Sequence, residues 1–461
     1  MLPLLALLAF STLAPRIHSI SDISQEFTFY MDGRFHRQYI GDAGVDARNW
    51  GTLWKLDLKD TNLLVLSGGD HRVPYHDRSV EHVVRFVREG GGLLLMADAP
   101  PEGEAPLTKV SKAFGASFSG VRAEGQPFGV GSPGGQAIEL RKGGTLEIAA
   151  PWQPIVKDAS GRVLMARRAF GKGNVLMSVR GLFGSNPDAS DAINRDWIAP
   201  LLREIAAGKE VDEARPPKDQ FAELSRQIGP LTLEYTEGTL PFASAIAKEY
   251  EVVRGHLEEI TGVKPSPGMI TKLLLLPTGG GGFSSGERIG IAAWWGDYPK
   301  NRYPMIELIG HEAGHSWVLP HPEPVWNEPI ATYLGIQVGK RMGMPEAQRT
   351  LDDQIERGRK HDPNMDKVDI GKPGAPRDAV WGKTYWIFEQ LEKTHGPGVI
   401  GKYFQAKRRL VPAGRPGYSL DDSVAVLSAG VGTDLFPWFR SLGIDVDRSR
   451  TSIGRDAGTT L

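Results

Sequence analysis

His311, Glu312 and His315 form an H-E-x-x-H motif. On a helix, residues four apart lie about 40° apart around the axis, so both imidazoles reach one metal ion. Glu312 follows the first histidine directly, where a carboxylate can take the proton of an attacking water. The chain has no cysteine, so a metal must be held by histidine and carboxylate. Zinc suits such a set, with three protein ligands and one open position, one ion per chain. Two residues compete for the third place. Glu328 lies thirteen residues after His315 in W-N-E-P-x-A-T-Y. His321 matches the spacing of H-E-x-x-H-x-x-G-x-x-H, but that pattern uses glycine for a sharp turn, because glycine alone takes positive φ cheaply. Val318 stands there instead. The residues favour Glu328 and leave His321 as a substrate neighbour or a turn cap.

The flanks supply the elements that must position these groups. Pro304 suits a first helical turn, Met305, Ile306, Leu308 and Ile309 are apolar, and Pro320 ends the run. A second helix is expected over Glu328 to Lys340. Pro329 biases the residue before it away from helical angles, so Glu328 must lie in the first turn. Thr332, four residues on, is placed to support a histidine ligand from behind. An oxyanion donor is also needed, and Tyr385 and His321 are the candidates. Leu273–Leu276 reads as a buried strand before Gly279–Gly282, a loop flanking the cleft that lacks the Gly-Lys-Ser/Thr of a phosphate loop. Ile289–Trp295 is expected to be the edge strand that holds an extended substrate by backbone pairing, with Trp294 and Trp295 at the cleft mouth.

A chain of 461 residues implies two or three domains. Its 40% hydrophobic and 24% charged residues are ordinary for a globular protein, and a net charge of −1 gives no reason to expect nucleic acid or an anionic membrane as partner. Residues 1–14 are apolar, too short to span a bilayer and long enough for the core of a signal peptide. Cleavage after Ser19 would define a leader over 1–19 and a secreted or periplasmic protein, with no later membrane span. Over 24–209, short apolar strands (Leu63–Leu66, Leu93–Met96) alternate with an amphipathic helix carrying Val80, Val83, Val84, Phe86 and Val87. This predicts an α/β domain with a mostly parallel sheet, including a hairpin at Ala169–Ser178 and a closing helix at Asp196–Ala207. Residues 210–220, with Pro216-Pro217, read as a linker, and 221–461 as the second domain. There, Pro241–Thr261 is helical, the charged stretch Asp352–Arg377 reads as loops, a helix starts at Asp378, and Ser423–Gly443 forms two short helices.

The first domain resembles class I glutamine amidotransferase-like domains through DTNLLVLSGG, VVRFVREGGGLLLMADAP and FGKGNVLMSV. Those enzymes attack with a cysteine after a central strand. Without cysteine that chemistry is absent, leaving scaffolding or ligand binding as the expected role. The second domain resembles the enhancin-type or mucinase-like branch of the gluzincin metallopeptidases through HEAGH, WNEP, TYWIFEQLEKTHG and VLSAGVGTDLFPWFRSLGI. The resemblance implies a mainly helical α+β fold and a zinc-dependent endopeptidase often directed at mucins and other O-glycosylated proteins. It implies His311, His315 and Glu328 as ligands and Glu312 as the base. Trp381 stands where aminopeptidases of the wider group have their transition-state tyrosine, and no G-x-M-E-N stretch is present, so a simple aminopeptidase is disfavoured. A catalytically silent zinc-bearing binding protein is the rival from another class, against which the intact Glu312 speaks.

Overall fold

A computed structural model describes residues 16–22, 35–68, 75–98, 107–130, 138–141, 143–183, 193–221, 224–236, 239–276, 281–292 and 297–453. The chain divides into two compact units, 1–224 with 235–239 and 276–280, and 225–234 with 240–275 and 281–461.

In the first unit, β1 (Ile17–Asp22), β3 (Leu63–Gly68) and β4 (Gly92–Ala97) are buried at every position. β3 and β4 carry the unbroken apolar runs expected of strands covered on both faces, whereas β1 buries the polar His18, Ser19, Ser21 and Asp22. β2 (Gly44–Asn49) pairs parallel with β1, β1 with β3, β3 with β4, and β4 with β10 (Gly173–Val179). The direction then reverses through a two-residue turn after β9 (Val163–Phe170), and β5 (Ala116–Ser119), β6 (Phe128–Gly129), β7 (Thr145–Ile148) and β8 (Gln153–Lys157) complete an antiparallel half. The sheet, ordered β2-β1-β3-β4-β10-β9-β7-β5 with β6 and β8 attached, is therefore mixed rather than mostly parallel. The expected hairpin at Ala169–Ser178 is the point of reversal. Helices α1 (Asp77–Arg88), α2 (Thr108–Ala113) and α3 (Arg195–Ala206) complete the unit.

Two expected boundaries meet this sheet. A cut after Ser19 would divide β1, whose Ser19 to Asp22 pair with Leu63 to Leu66. Residues 219–221 are tied to β2: Gln220 N–H donates to Arg48 O (2.8 Å), Trp50 N–H donates to Gln220 O (3.0 Å), and Phe221 stacks on Trp50.

The second unit has a five-stranded sheet of β11 (Leu224–Ile228), β12 (Leu231–Tyr235), β13 (Lys272–Leu276), β14 (Gly282–Ser284) and β15 (Arg288–Ala292), in the order β11-β12-β13-β15-β14. Its helices are α4 (Leu240–Thr261), α5 (Tyr303–Trp317), α6 (Asn327–Arg341), α7 (Pro345–His361), α8 (Arg377–His395), α9 (Val399–Leu410), α10 (Leu420–Val431) and α11 (Phe436–Ser441). Residues 352–361 are thus helical rather than looped. Pro345 starts α7, and Ala347, Leu351 and Gly358 give it a narrow buried stripe under a charged outer face. The strand at Ile289–Ala292 is interior, and the edge belongs to β14. Among the described residues no helix is long and apolar enough to cross a membrane.

Candidate metal centre

The site is built where α5 and α6 cross. Gly310 and Gly314 on α5 face Gly335 and Ala331 on α6, each pair four residues apart and so on one face. A Cβ on Gly310 would lie 2.6 Å from Gly335 Cα, one on Gly335 2.4 Å from Glu307 O, and one on Gly314 3.0 Å from Ala331 Cα. The backbones touch because these residues have almost no side chain, since helix separation is set by what stands at the contact. This crossing lays Glu328 and Thr332 against His311 and His315.

The donor atoms form a triangle. His311 Nε2 and His315 Nε2 are 3.1 Å apart, Glu328 Oε2 is 3.5 Å from His311 Nε2, and Glu328 Oε1 is 3.4 Å from His315 Nε2. Donors each about 2.0–2.1 Å from a tetrahedral zinc ion are separated by about 3.3–3.4 Å, which these distances match. The hydrogen bonding also fixes a tautomer. Thr332 Oγ1 donates to Glu328 O at 3.2 Å, so at 2.9 Å from His311 Nδ1 it accepts that ring's proton. His311 then keeps a lone pair on Nε2, the form a metal requires. Burial, and next the neighbouring His315, lowers the His311 pKa to about 3 and holds it neutral.

Glu312 is 5% exposed, with Oε1 4.0 Å from His311 Nε2. Burial, followed by the Glu328 carboxylate, pushes its pKa up to about 8 in the metal-free protein. β14 lies against it so closely that a Cβ on Gly282 would stand 2.8 Å from Glu312 Oε1. The strand is also seated on α5 by hydroxyls: Ser284 Oγ and Ser316 Oγ are 3.0 Å apart, and Ser316 Oγ donates to Gly286 O at 3.1 Å. A cavity of about 480 Å³ opens over these groups, lined also by Phe283, Leu319, Pro322 and Asn327. Ala292 N–H donates to Gly281 O, and Ser285 N–H to Arg288 O. By the two-residue alternation of an antiparallel pair, Phe283 faces β15 while the backbone groups of Gly282 and Ser284 point to the open edge.

Glu328 lies in the first turn of α6, as Pro329 requires, and Thr332 Oγ1 lies 2.9 Å from His311 Nδ1. His321 lies outside the donor triangle. Its Nε2 is 2.8 Å from Pro412 O and its ring lies beside Tyr418, which turns it away from the donor triangle. Tyr385 does not reach the cavity either. It is fully buried on the packed side of α8, its ring against Tyr333 and its hydroxyl beside Thr332, and it is not among the residues that line the cavity. Trp294, Trp295, Gly279 and Gly280 lie outside the described residues. Gly282, read from the sequence as part of a loop flanking the cleft, lines it as a residue of β14, and Ser284 and Asn327 line the site unforeseen. For Asn327 the signal was its place beside Glu328; for a three-residue strand there was none.

No family model matches the chain, and no curated protein does. Among solved structures, it is similar to an M1 zinc metallopeptidase from Deinococcus radiodurans bound to a Tyr-Ser-Ala substrate, at 15% identity and TM-score 0.33, over 48% of this chain and 51% of that one. It is similar to aminopeptidase A of Legionella pneumophila in complex with aspartic acid, at 13% identity and TM-score 0.36, over 48% of this chain and 28% of that one. The mmIFT52 N-terminal domain is similar at 12% identity and TM-score 0.27, over 35% of this chain and 85% of that domain. The chain thus spans about half of the first peptidase and less of the second. Scores this low decide neither fold nor chemistry, which rest on the geometry of the site itself.

Proposed function

We propose that the second unit is a zinc-dependent endopeptidase acting on O-glycosylated protein outside the cytoplasm. The observation that carries the peptidase reading is the donor triangle of His311, His315 and Glu328 beside Glu312, open to a cavity flanked by the free edge of β14. When bound, zinc supplies Lewis-acid polarisation of a carbonyl and lowers the pKa of water in its coordination sphere to about 7. Glu312, pushed up in the metal-free protein, ionises once a cation sits within about 6 Å, because opposite charge favours the carboxylate. It then takes the proton of the attacking water and returns it to the leaving nitrogen. The outward backbone groups of Gly282 and Ser284 pair with an extended substrate.

Among the described lining residues the carboxylates are Glu312 and Glu328, both committed to the centre. None is left to grip a free α-amino group, which favours cleavage within a chain. The preference for glycosylated substrate rests on the resemblance to mucinase-like gluzincins. The small residues at Gly282, Ser284, Ser285 and Gly286 support it by leaving room along the strand. Export rests on the apolar run at 1–14. The test is a matched pair of peptides, O-glycosylated and bare, given to the zinc-loaded full chain with Glu312→Gln as control. Faster cleavage of the glycosylated member, abolished by Glu312→Gln with zinc retained, is the expected result. Equal or faster cleavage of the bare peptide would leave a general endopeptidase, and activity in the glutamine variant would exclude Glu312 as the base.

A further inference from the structure

The segment 318–326 joins the two ligand-bearing helices and supplies Leu319 and Pro322 to the cavity wall. It has no regular structure of its own to hold it, yet it decides where α6 starts and so where Glu328 stands. Ser266 Oγ donates to Leu319 O at 3.2 Å and Trp326 packs on Phe388 and Phe439, while the remaining polar ties run to α9, α10 and the loop between them. Arg408 donates to Trp317 O at 2.8 Å, at the carbonyl end of α5. Lys407 Nζ donates to His321 O at 2.6 Å and also to the Glu323 carboxylate. Glu323 further accepts from Tyr403 Oη at 2.6 Å and from Ser423 Oγ at 3.1 Å. His321, which lies outside the donor triangle, closes the set through Pro412 O. Glu323 and Lys407 have side chains 0% and 6% exposed. A buried ion pair is a poor way to stabilise a fold, since desolvation offsets most of the attraction. This one is joined to the segment through the Lys407 hydrogen bond to His321 O and through Glu323, which belongs to the segment.

We propose that Lys407 and Glu323 are positioning residues for the metal centre: the buried pair pins the connection between His315 and Glu328 and holds the third ligand in register with the two histidines. This rests on the zinc-site reading. A second buried pair provides the comparison. Lys383 and Asp362 have side chains 0% exposed, and Lys383 Nζ donates to Asp362 (2.8 Å), Val368 O (2.7 Å) and Leu442 O (2.6 Å), none of them in the 318–326 segment.

The experiment measures zinc affinity by competition with a chromophoric chelator, together with the thermal midpoint of the metal-free protein. It uses the full chain carrying Lys407→Met, the charge-neutral double variant Lys407→Met with Glu323→Gln, or Lys383→Met. Both Lys407 variants are expected to bind zinc about 10- to 100-fold more weakly, the range for losing a group that orients a ligand. Lys383→Met is expected to lower the midpoint while leaving zinc affinity within about threefold of the wild type. The double variant removes both buried charges, so it keeps the test open where Lys407→Met alone does not fold. If the double variant binds zinc like the wild type, or if Lys383→Met weakens binding as much, the proposal is overturned and the pair is a fold staple only. A wild-type chain that binds no zinc would overturn the metal centre itself, and this proposal with it.

Discussion

Replacing Thr332 by valine separates metal-site order from fold stability. Thr332 Oγ1 accepts from His311 Nδ1 at 2.9 Å and donates to Glu328 O at 3.2 Å. Valine keeps the shape and removes both bonds. In the loaded protein His311 must keep its Nε2 lone pair, so the proton stays on Nδ1 and faces a methyl group. An unpaired buried donor costs about 1–3 kcal/mol. In the metal-free protein the proton can move to Nε2, where His315 Nε2 lies 3.1 Å away, so most of the cost falls on the loaded state. At about 1.4 kcal/mol per tenfold, zinc affinity should fall roughly 5- to 150-fold. The metal-free midpoint should move by no more than about 2 °C. Competition against a chelator near neutral pH reads the first quantity and thermal unfolding of chelated protein the second. Thr332→Ser should restore binding. Zinc affinity within twofold of the wild type in the valine variant would refute the tautomer argument.

Two other outcomes follow from the same geometry. In chelated protein the Glu312 carboxyl is raised from 4.5 to about 8, so between those values the folded state holds a proton that the unfolded state has lost, and stability falls as pH rises. His311, lowered from 6.5 to about 3, acts in the opposite sense over its own range, so above pH 6.5 the Glu312 effect is free of it. Glu312→Gln should remove a loss of up to about 2 kcal/mol between pH 6.5 and 8, read by urea unfolding; an unchanged slope would show that Glu312 does not titrate there. Gly282→Ala would set a methyl 2.8 Å from Glu312 Oε1 and 2.7 Å from Gly290 O. Zinc should be retained while kcat/KM drops about 10- to 100-fold, the scale of a misplaced catalytic group; unchanged turnover would mean β14 is not seated on the base.

The candidate ligands were legible because their information is local. His311 and His315 are related by helical spacing, and Glu328 is marked by a proline that fixes it to a first turn. Tyr385 was not, because α8 is apolar on several sides: Ala379, Ile387, Phe388 and Leu391 are buried with it. A 3.6-residue pattern then cannot tell a core-facing position from a cleft-facing one. The edge strand was misplaced for a related reason. The apolar run at Ile289–Ala292 reads as a strand, but whether it is interior depends on Gly282–Ser284, three residues that carry no strand signal and acquire one only by pairing. The stretch over 352–361 was obscured by charge, since a helix needs only a thin apolar stripe when it packs on one side.

The glycines of α5 and α6 show where the remaining information lay. Gly310, Gly314, Gly335 and Gly339 each make a helix interior about 1 kcal/mol less stable than alanine would, so four of them amount to several kcal/mol against the helices that carry the ligands. Three sit with their missing side chains against another backbone, and Gly339 faces the Tyr303 ring and Ala347. Close packing can offset that cost, yet larger residues meshing across a wider gap would bury apolar surface too. A wider gap would not leave Glu328 within 3.5 Å of both histidines. The spacing Gly310-x-x-x-Gly314 and Ala331-x-x-x-Gly335 therefore encodes the donor triangle as directly as the ligands do, although none of these residues offers a side-chain donor atom to a metal.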